Sequence, residues 1–422
     1  MPSSRIYLDY AATTPVSQSV AKAMQPWLSI DNIDSQVFGN PSSLHQEGQK
    51  AKTALAAARN RTAEVLAVPS SSLTFTSSGT EANNTVIIGL AELYQKRHPD
   101  RKPHLIISAI EHPAVTQPAR YLQNRGIELT ILPVDSEGFV HPETLMQYIK
   151  PNTYLVSIMH GNNEIGTLQP LKDLIAIAHK SGVPFHTDAV QTLGKVPIDL
   201  TSWGVDYLTF SGHKLYGPKG IGGFYTRTGA EIPLRLIHGG GQESGLRAGT
   251  ENISGIVGLA QALSDCFEQQ ATEQKRLQTL QYSLWEQIQA SHMVQESDFT
   301  VSLNGPSDMT RRVPGNVHFS ITPKPGSGLS PIDGEAWVLQ LDMAGVAVSS
   351  GSACHSAVIE PSSVVLALGK SVEAARATIR VSMGRHTTQA EIDRFVNTLE
   401  KLLSQRSRSF HKQNTSQALA SY

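Results

Sequence analysis

Tyr207-Leu208-Thr209-Phe210-Ser211-Gly212-His213-Lys214-Leu215-Tyr216-Gly217-Pro218-Lys219-Gly220 is the stretch on which the reading of this chain turns. Residues 207–210 form an apolar run with the character of a buried strand. The Gly-Pro and Lys-Gly pairs beyond it mark turns. Between them stands a lysine bracketed by small residues and a histidine. An ammonium at the end of a buried strand is costly to desolvate. Burial also lowers its pKa, and a lysine so lowered is the amine that forms Schiff bases. Taken alone, a lysine in a Gly/Pro loop is more often simply solvated, so the rest of the chain must decide.

Working outward, element types alternate. Segments 72–76, 105–108, 127–132, 154–159, 184–188 and 207–210 read as strands, with 222–225 as one more. Segments 79–94, 112–123, 142–149 and 171–180 between them read as helices. Short apolar strands alternating with helices predict an α/β domain on a mostly parallel sheet, with ligands beyond the carboxyl ends of the strands. Helices are expected at 16–28 and 47–66 before this unit. A long helix over about 253–289 leads to a second domain, with strands near 300–303, 316–320 and 378–382 and helices at 335–342 and 388–403. Three prolines and two glycines in 322–333 predict a flexible surface insertion, and the polar tail after Arg408 predicts disorder.

Composition narrows the class. The chain has 422 residues, which favours two domains. Lys plus Arg number 35 and Asp plus Glu 36, for a net charge of −1. This gives no electrostatic argument for nucleic acid or an anionic membrane. No apolar run approaches a membrane span, and residues 1–5 lack the core of a secretory signal. Two cysteines in so long a chain make no disulfide framework. A reducing, cytoplasmic setting is expected.

Five features fall at predicted strand ends. Ser77-Ser78-Gly79-Thr80-Glu81 joins a strand to a helix, and small hydroxylated residues at a helix N-terminus bind phosphate or merely cap. His112, before Pro113, could stack on a planar ring or move a proton. Asn162-Asn163-Glu164-Ile165-Gly166 offers two amides to a ligand, or a turn. His186-Thr187-Asp188-Ala189-Val190-Gln191 ends in a carboxylate that needs a partner, either a pyridine nitrogen or a helix N-terminus. Ser211, His213 and Lys214 complete the set. Each signal alone is weak. A phosphate cradle, ring partner, carboxylate and lysine in this order point to pyridoxal phosphate.

With these residues in view the chain resembles the cysteine desulfurases, pyridoxal phosphate enzymes of the class V aminotransferase-like group, in their long mobile-loop subtype that serves iron–sulfur cluster assembly. The resemblance runs from Tyr7-Leu8-Asp9-Tyr10-Ala11-Ala12-Thr13-Thr14-Pro15 to about Thr388. Its most specific pieces are Ser157-Ile158-Met159-His160 with Asn162-Asn163-Glu164-Ile165-Gly166, then Ser211-Gly212-His213-Lys214, and Ser349-Ser350-Gly351-Ser352-Ala353-Cys354. It implies an aspartate aminotransferase-like fold. Residues 16–262 would form a large cofactor domain on a mostly parallel seven-stranded sheet. Residues 1–15 and 263–408 would form a smaller α+β domain, with 409–422 a disordered tail.

The resemblance also implies roles. Lys214 would hold pyridoxal 5'-phosphate, Asp188 pair with its ring nitrogen, Gln191 contact the ring hydroxyl and His112 stack on the ring and exchange protons. Gly79, Thr80, Ser211 and His213 would hold the phosphate, and Thr250 would reach it from the other subunit of a homodimer. Arg380, Asn163 and Asn40 would bind L-cysteine, with Arg380 clamping the carboxylate. Cys354 would accept the sulfur as a persulfide and pass it to an acceptor such as an iron–sulfur scaffold. No metal ligand is assigned. Three departures stand out: His355 after the cysteine, the length of 322–333, and the tail. Cys266, in a helical stretch beside Leu263 and Phe267, reads as a small buried apolar residue. The rival readings are a selenocysteine lyase, a cystine C–S lyase, an aminotransferase, and a non-catalytic relative.

Overall fold

The apolar run at Tyr207 becomes strand β7 of a seven-stranded sheet in the computed structural model, which describes residues 5–28, 37–351 and 360–420. Among these residues the strands are β1 (Ile6–Tyr7), β2 (Leu73–Thr76), β3 (His104–Ser108), β4 (Glu128–Leu132), β5 (Thr153–Ser157), β6 (Phe185–Asp188), β7 (Tyr207–Ser211), β8 (Gly222–Thr226), β9 (Phe299–Leu303), β10 (Asn316–Pro323), β11 (Val346–Ala347) and β12 (Thr378–Ser382). The large sheet has the order β2-β8-β7-β6-β5-β3-β4. Neighbours from β7 through to β4 run parallel, and β8 pairs antiparallel with both β7 and β2. Strands buried on both faces have to be apolar throughout, and β3, β5, β6 and β7 are buried at every position.

Helices cover both faces. One face packs Phe75, Ile106, Val156 and Leu208 into a core shared with the helices Gln46–Leu66 and Ile253–Ala290. The other packs Leu105, Ile107, Leu155, Tyr207 and Phe224 against Gly79–Arg97 and Pro113–Asn124. Gly89 in the first of these helices has no room for more than hydrogen, since a Cβ there would stand 2.3 Å from the carbonyl oxygen of Leu234.

The helix Ile253–Ala290 is unbroken and carries the chain to a second sheet, β12-β10-β9, antiparallel throughout. This sheet has its own core of Phe299, Val317, Phe319, Trp337, Ile379 and Phe395. Ile6 and Leu8 from the beginning of the chain belong to that core, because β1 pairs in parallel with β11.

Two expectations are corrected. The 322–333 segment is not wholly a surface insertion: β10 extends through Pro323, and Leu329 is buried in the second core. Backbone pairing with β9 as far as Phe299 outweighs the local turn composition. The chain beyond Arg408 is helical rather than irregular, since the last helix runs Gln389–Ala420 and Phe410 packs against the second core.

Phe319 is fully buried, and its ring lies 6.4 Å from that of Trp285. Phe319→Ala should destabilise the chain by about 3–5 kcal/mol through the cavity it leaves, read as a lower urea midpoint with an unchanged denaturant slope.

Candidate active site

The parallel strands deliver their last residues to one edge. Asp188 ends β6 opposite Thr209 of β7, and β7 ends at Ser211 in a tight turn, Gly212–Lys214. From the far side β2 feeds the helix Gly79–Arg97, capped by Ser78 Oγ, which accepts from Glu81 N at 3.1 Å. A Cβ on Gly79 would stand 2.8 Å from Val190 Cγ2 and 3.5 Å from Ser211 Cβ. The helix N-terminus therefore closes directly on the ends of β6 and β7. Free N–H groups of a helix start favour an anion there. Thr80 is exposed at that start, and Ser211 is buried beside it.

Lys214 Nζ donates to the carbonyl oxygens of Ala11 at 2.5 Å and Ala12 at 2.7 Å. Burial, joined by the positive charges of Lys195 and Arg380, pulls this amine down to about 7, while Asp9 and Asp188 pull the other way. His213 stands half-buried in the same turn, with Nδ1 3.2 Å from Thr13 Oγ1. Its burial and the nearby lysines lower the imidazole to about 4, so it is neutral at pH 7.

Asp188 is buried and doubly held. Its Oδ2 accepts from Asn83 Nδ2 at 2.7 Å, and its Oδ1 from Val190 N at 2.9 Å. Asn83 is fixed in turn by Thr209 Oγ1, which donates to Asn83 Oδ1 at 2.5 Å. Gln191 donates Nε2 to Ala11 O at 2.9 Å. His112 caps the helix Pro113–Asn124, its Nδ1 accepting from Ala114 N at 3.0 Å. Burial lowers its pKa; Asp188 opposes this, and Lys214 and Arg380 add to it. His112, Asp188, Lys214 and Arg380 thus share one electrostatic environment.

Arg380 comes from the other sheet. It is buried on β12, donating Nη1 to Asn163 O at 2.9 Å and Nη2 to Asp9 Oδ1 at 3.0 Å, with Nε left without a partner. The two amides of the Asn162-Asn163 pair separate in role. Both line the cavity with Lys214 and Gln191, but Asn162 also builds a turn, its Oδ1 accepting from Glu164 N and Ile165 N.

Asn40 and Thr250 lie away from the lysine cavity of this chain, Thr250 being the residue expected to reach the other subunit's site. Asn40 Oδ1 accepts from Ser42 N at 2.9 Å in a local turn, and Asn40 does not line the lysine cavity. Thr250 is exposed in a separate surface cleft with Thr76, Ser77 and Arg247. Cys354 lies outside the described residues. The chain on either side of that segment is anchored, with Gly351 N donating to Thr378 Oγ1 at 3.1 Å and Ser362 Oγ donating to Glu164 Oε2 at 2.6 Å. Cys266 is buried among apolar residues, with its Sγ 3.4 Å from Leu215 O, and burial raises its thiol to about 11.

Sequence reasoning missed Asn83, Asp9 and Glu111. Asn83 stands one helical turn beyond Gly79, a spacing that would have aimed it at the same strand ends. Asp9 sits in an apolar stretch near the chain start and carries no local signal. Glu111 precedes His112 and is buried, its Oε1 accepting from Ser108 Oγ at 2.5 Å and Met159 N at 2.9 Å.

A half-buried amine and a fixed carboxylate at the strand ends of an α/β sheet, beside a helix N-terminus, define a class: enzymes that work through a strand-end lysine. The chain belongs to the family Aminotransferase class-V, whose model matches residues 6–395. Its relatives include the cysteine desulfurase IscS of Dictyoglomus turgidum, 42% identical over 94% of each chain. The cysteine desulfurase IscS of Clostridium botulinum is 41% identical over 95% of each. Among solved structures, a NifS-like protein superposes with a TM-score of 0.82 at 35% identity, covering 95% of this chain and 99% of its own. A structure described as SspA in complex with cysteine superposes at 0.73 and 34% identity, covering 91% of this chain and 100% of its own. These likenesses bear out the family and the mostly parallel seven-stranded fold.

Burial raises the Glu111 carboxyl to about 8, with Asp188 adding to the rise and the Ser108 and Met159 hydrogen bonds opposing it. Its folded pKa exceeds the unfolded value, so the stability it contributes is complete below about 4.5 and is lost as pH climbs through about 8. Glu111→Gln cannot ionise. Between pH 5 and pH 8.5 the wild type should lose stability relative to this variant by on the order of a few kcal/mol, read as a pH-dependent gap between their thermal midpoints.

Proposed function

We propose that this chain is a cysteine desulfurase: it takes sulfur from L-cysteine and releases L-alanine. The observation that carries the reading is the lysine site itself, an amine lowered to about 7 that shares its surroundings with the held carboxylate of Asp188. The curated relatives at about 40% identity, named cysteine desulfurases, supply the reaction.

The residues fit pyridoxal phosphate. Gly79 leaves the helix start bare of side chain next to Ser211, as a phosphate requires. Asp188 accepts from Asn83 and Val190 with both oxygens and so stays oriented as an acceptor. The Lys214 amine is available unprotonated near neutral pH. Gly79, Thr80, Ser211 and His213 would take the phosphate, Asp188 and Gln191 the ring nitrogen and hydroxyl, and His112 a ring face. Bound there, the group supplies an electron sink for charge developing at the substrate α-carbon.

The chain's own residues do the rest. Arg380 has an N–H without a partner and a planar fork suited to the substrate carboxylate, with Asn163 beside it. Lys214 takes the α-proton and returns it, a role that needs an amine titrating near the working pH. His112, neutral through its burial, exchanges a proton with the leaving sulfur. The thiolate of Cys354 takes that sulfur. The C–S bond of cysteine breaks, an S–S bond forms on Cys354, and the proton of the Cys354 thiol replaces sulfur on the carbon, leaving alanine. No outside oxidant or reductant is needed.

We further propose residues 16–262 as the cofactor domain and 1–15 with 263–408 as the small domain. The exposed position of Thr250 beside Ser77 supports a homodimer in which it completes the partner's phosphate site. An iron–sulfur scaffold would accept the persulfide. No helix among the described residues is long and apolar enough to cross a membrane, and a cytoplasmic setting follows as part of the proposal.

Lys214→Ala should abolish both the visible absorbance and alanine release. Cys354→Ser should keep the absorbance and lose sulfide release; sulfide release at the wild-type rate would remove Cys354 from the scheme. Arg380→Ala should raise KM for L-cysteine by about a hundredfold, the weight of a charge-assisted pair of hydrogen bonds, with cofactor absorbance unchanged.

A further inference from the structure

Behind Lys214 lies a second lysine that the scheme leaves unused. Lys195 stands four residues after Gln191, and its Nζ lies 3.4 Å from Gln191 Oε1. The same amide donates Nε2 to Ala11 O at 2.9 Å, and that carbonyl also accepts from Lys214 Nζ at 2.5 Å. A continuous polar chain therefore runs Lys195–Gln191–Ala11–Lys214, and all four residues line one enclosed cavity. Lys195 has no ion pair among the described residues. A half-buried ammonium without a counter-ion is costly, and an apolar side chain of the same volume would fill the space without that cost.

We propose that Lys195 is a positioning residue for Lys214: its ammonium, set behind the catalytic amine at Gln191, holds Gln191 in place and keeps positive charge beside Lys214, favouring the free amine. The proposal rests on the reading of Lys214 as the reactive amine. A like charge nearby disfavours protonation, and the catalytic lysine gains nucleophilicity when a second cation stands next to it in a dry pocket.

The surrounding charges bear on the balance. Lys214 also faces Arg380, which acts with Lys195, and Asp9 and Asp188, which act against it. His112 and His213 sit beside it as neutral rings, both lowered first by burial. Lys195 shares the cavity with Cys266 and Arg385, Arg380 also bears on its charge, and Arg385 Nη2 lies 3.8 Å from Cys266 Sγ. Cys266, raised to about 11 by burial, is a neutral thiol and cancels none of the lysine's charge. Glu273 lines the same cavity but is paired with Arg276 at 2.7 Å. Lys195 itself is lowered only to about 8, burial leading, and so is mostly charged at pH 7.

The test uses the full chain freed of cofactor. Lys214 is labelled with a small amine-directed acylating reagent from pH 5.5 to pH 10, and its modification is followed by peptide mass spectrometry. The wild type should show a midpoint near 7. Lys195→Met and Lys195→Gln should both raise that midpoint by about one pH unit, whereas Lys195→Arg should leave it in place. In the loaded enzyme the pH–rate profile for alanine release should shift in the same direction in Met and Gln and be rescued in Arg. A wild-type midpoint in either neutral variant that folds, as judged by circular dichroism, overturns the proposal. Failure of the desulfurase reading shows separately, as a wild type that releases no alanine from L-cysteine, and leaves the labelling result standing.

Discussion

Lys214 Nζ donates to the carbonyls of Ala11 and Ala12, residues more than two hundred positions away in sequence. Carbonyl oxygens can receive an ammonium without neutralising it, so the lysine is held in place while burial still depresses its pKa. A carboxylate in the same position would have formed an ion pair and locked the amine in its charged form. The site thus depends on a backbone strap. The stretch Asp9–Thr14 crosses the mouth of the large sheet, gives carbonyls to Lys214 and Gln191, places Thr13 beside His213, and sends Asp9 to Arg380.

That strap is fixed by the second sheet. β1 pairs with β11, Leu8 O accepts from Ser382 N at 2.8 Å, and Ala11 N donates to Ser382 Oγ at 2.9 Å. Arg380 lies two residues before Ser382 on β12, so one short strand both anchors the strap and presents the guanidinium. Asn163 O, inside the 162–166 turn beyond β5, accepts the other arm of the same guanidinium. The two sheets are therefore joined through the residues that the proposed chemistry uses, and a shift of one against the other would be felt at Lys214.

Asp188 shows how the large sheet prepares a polar group in a dry place. Its two oxygens have dedicated N–H donors, and Asn83 is itself held by Thr209 on the neighbouring strand. A carboxylate so satisfied is stable when buried, whereas an unpartnered one would be protonated or expelled to water. Glu111, two strands away beyond the end of β3, illustrates the other outcome. Its Oε2 has no partner, and burial leaves it a neutral acid at pH 7.

Read alone, the sequence yields the alternation of strands and helices, the strand-end placement of Gly79, His112, Asp188 and Lys214, and the family. These follow from local periodicity and from short motifs whose spacing is carried along one chain segment. It did not determine the strap, the Asn83 support, the Asp9–Arg380 pair or the Lys195–Gln191 contact, because each joins segments with no local signature of each other. Asn40, which the resemblance places at the substrate, closes its own turn with its side chain. The helical backbone past Arg408 was hidden because a polar composition reports only how much apolar surface a segment can bury by itself, and the core that Phe410 meets is built from other parts of the chain. Only tertiary packing decides which distant carbonyls and charges surround a buried amine, and that surrounding sets whether Lys214 is a solvated cation or a reactive base.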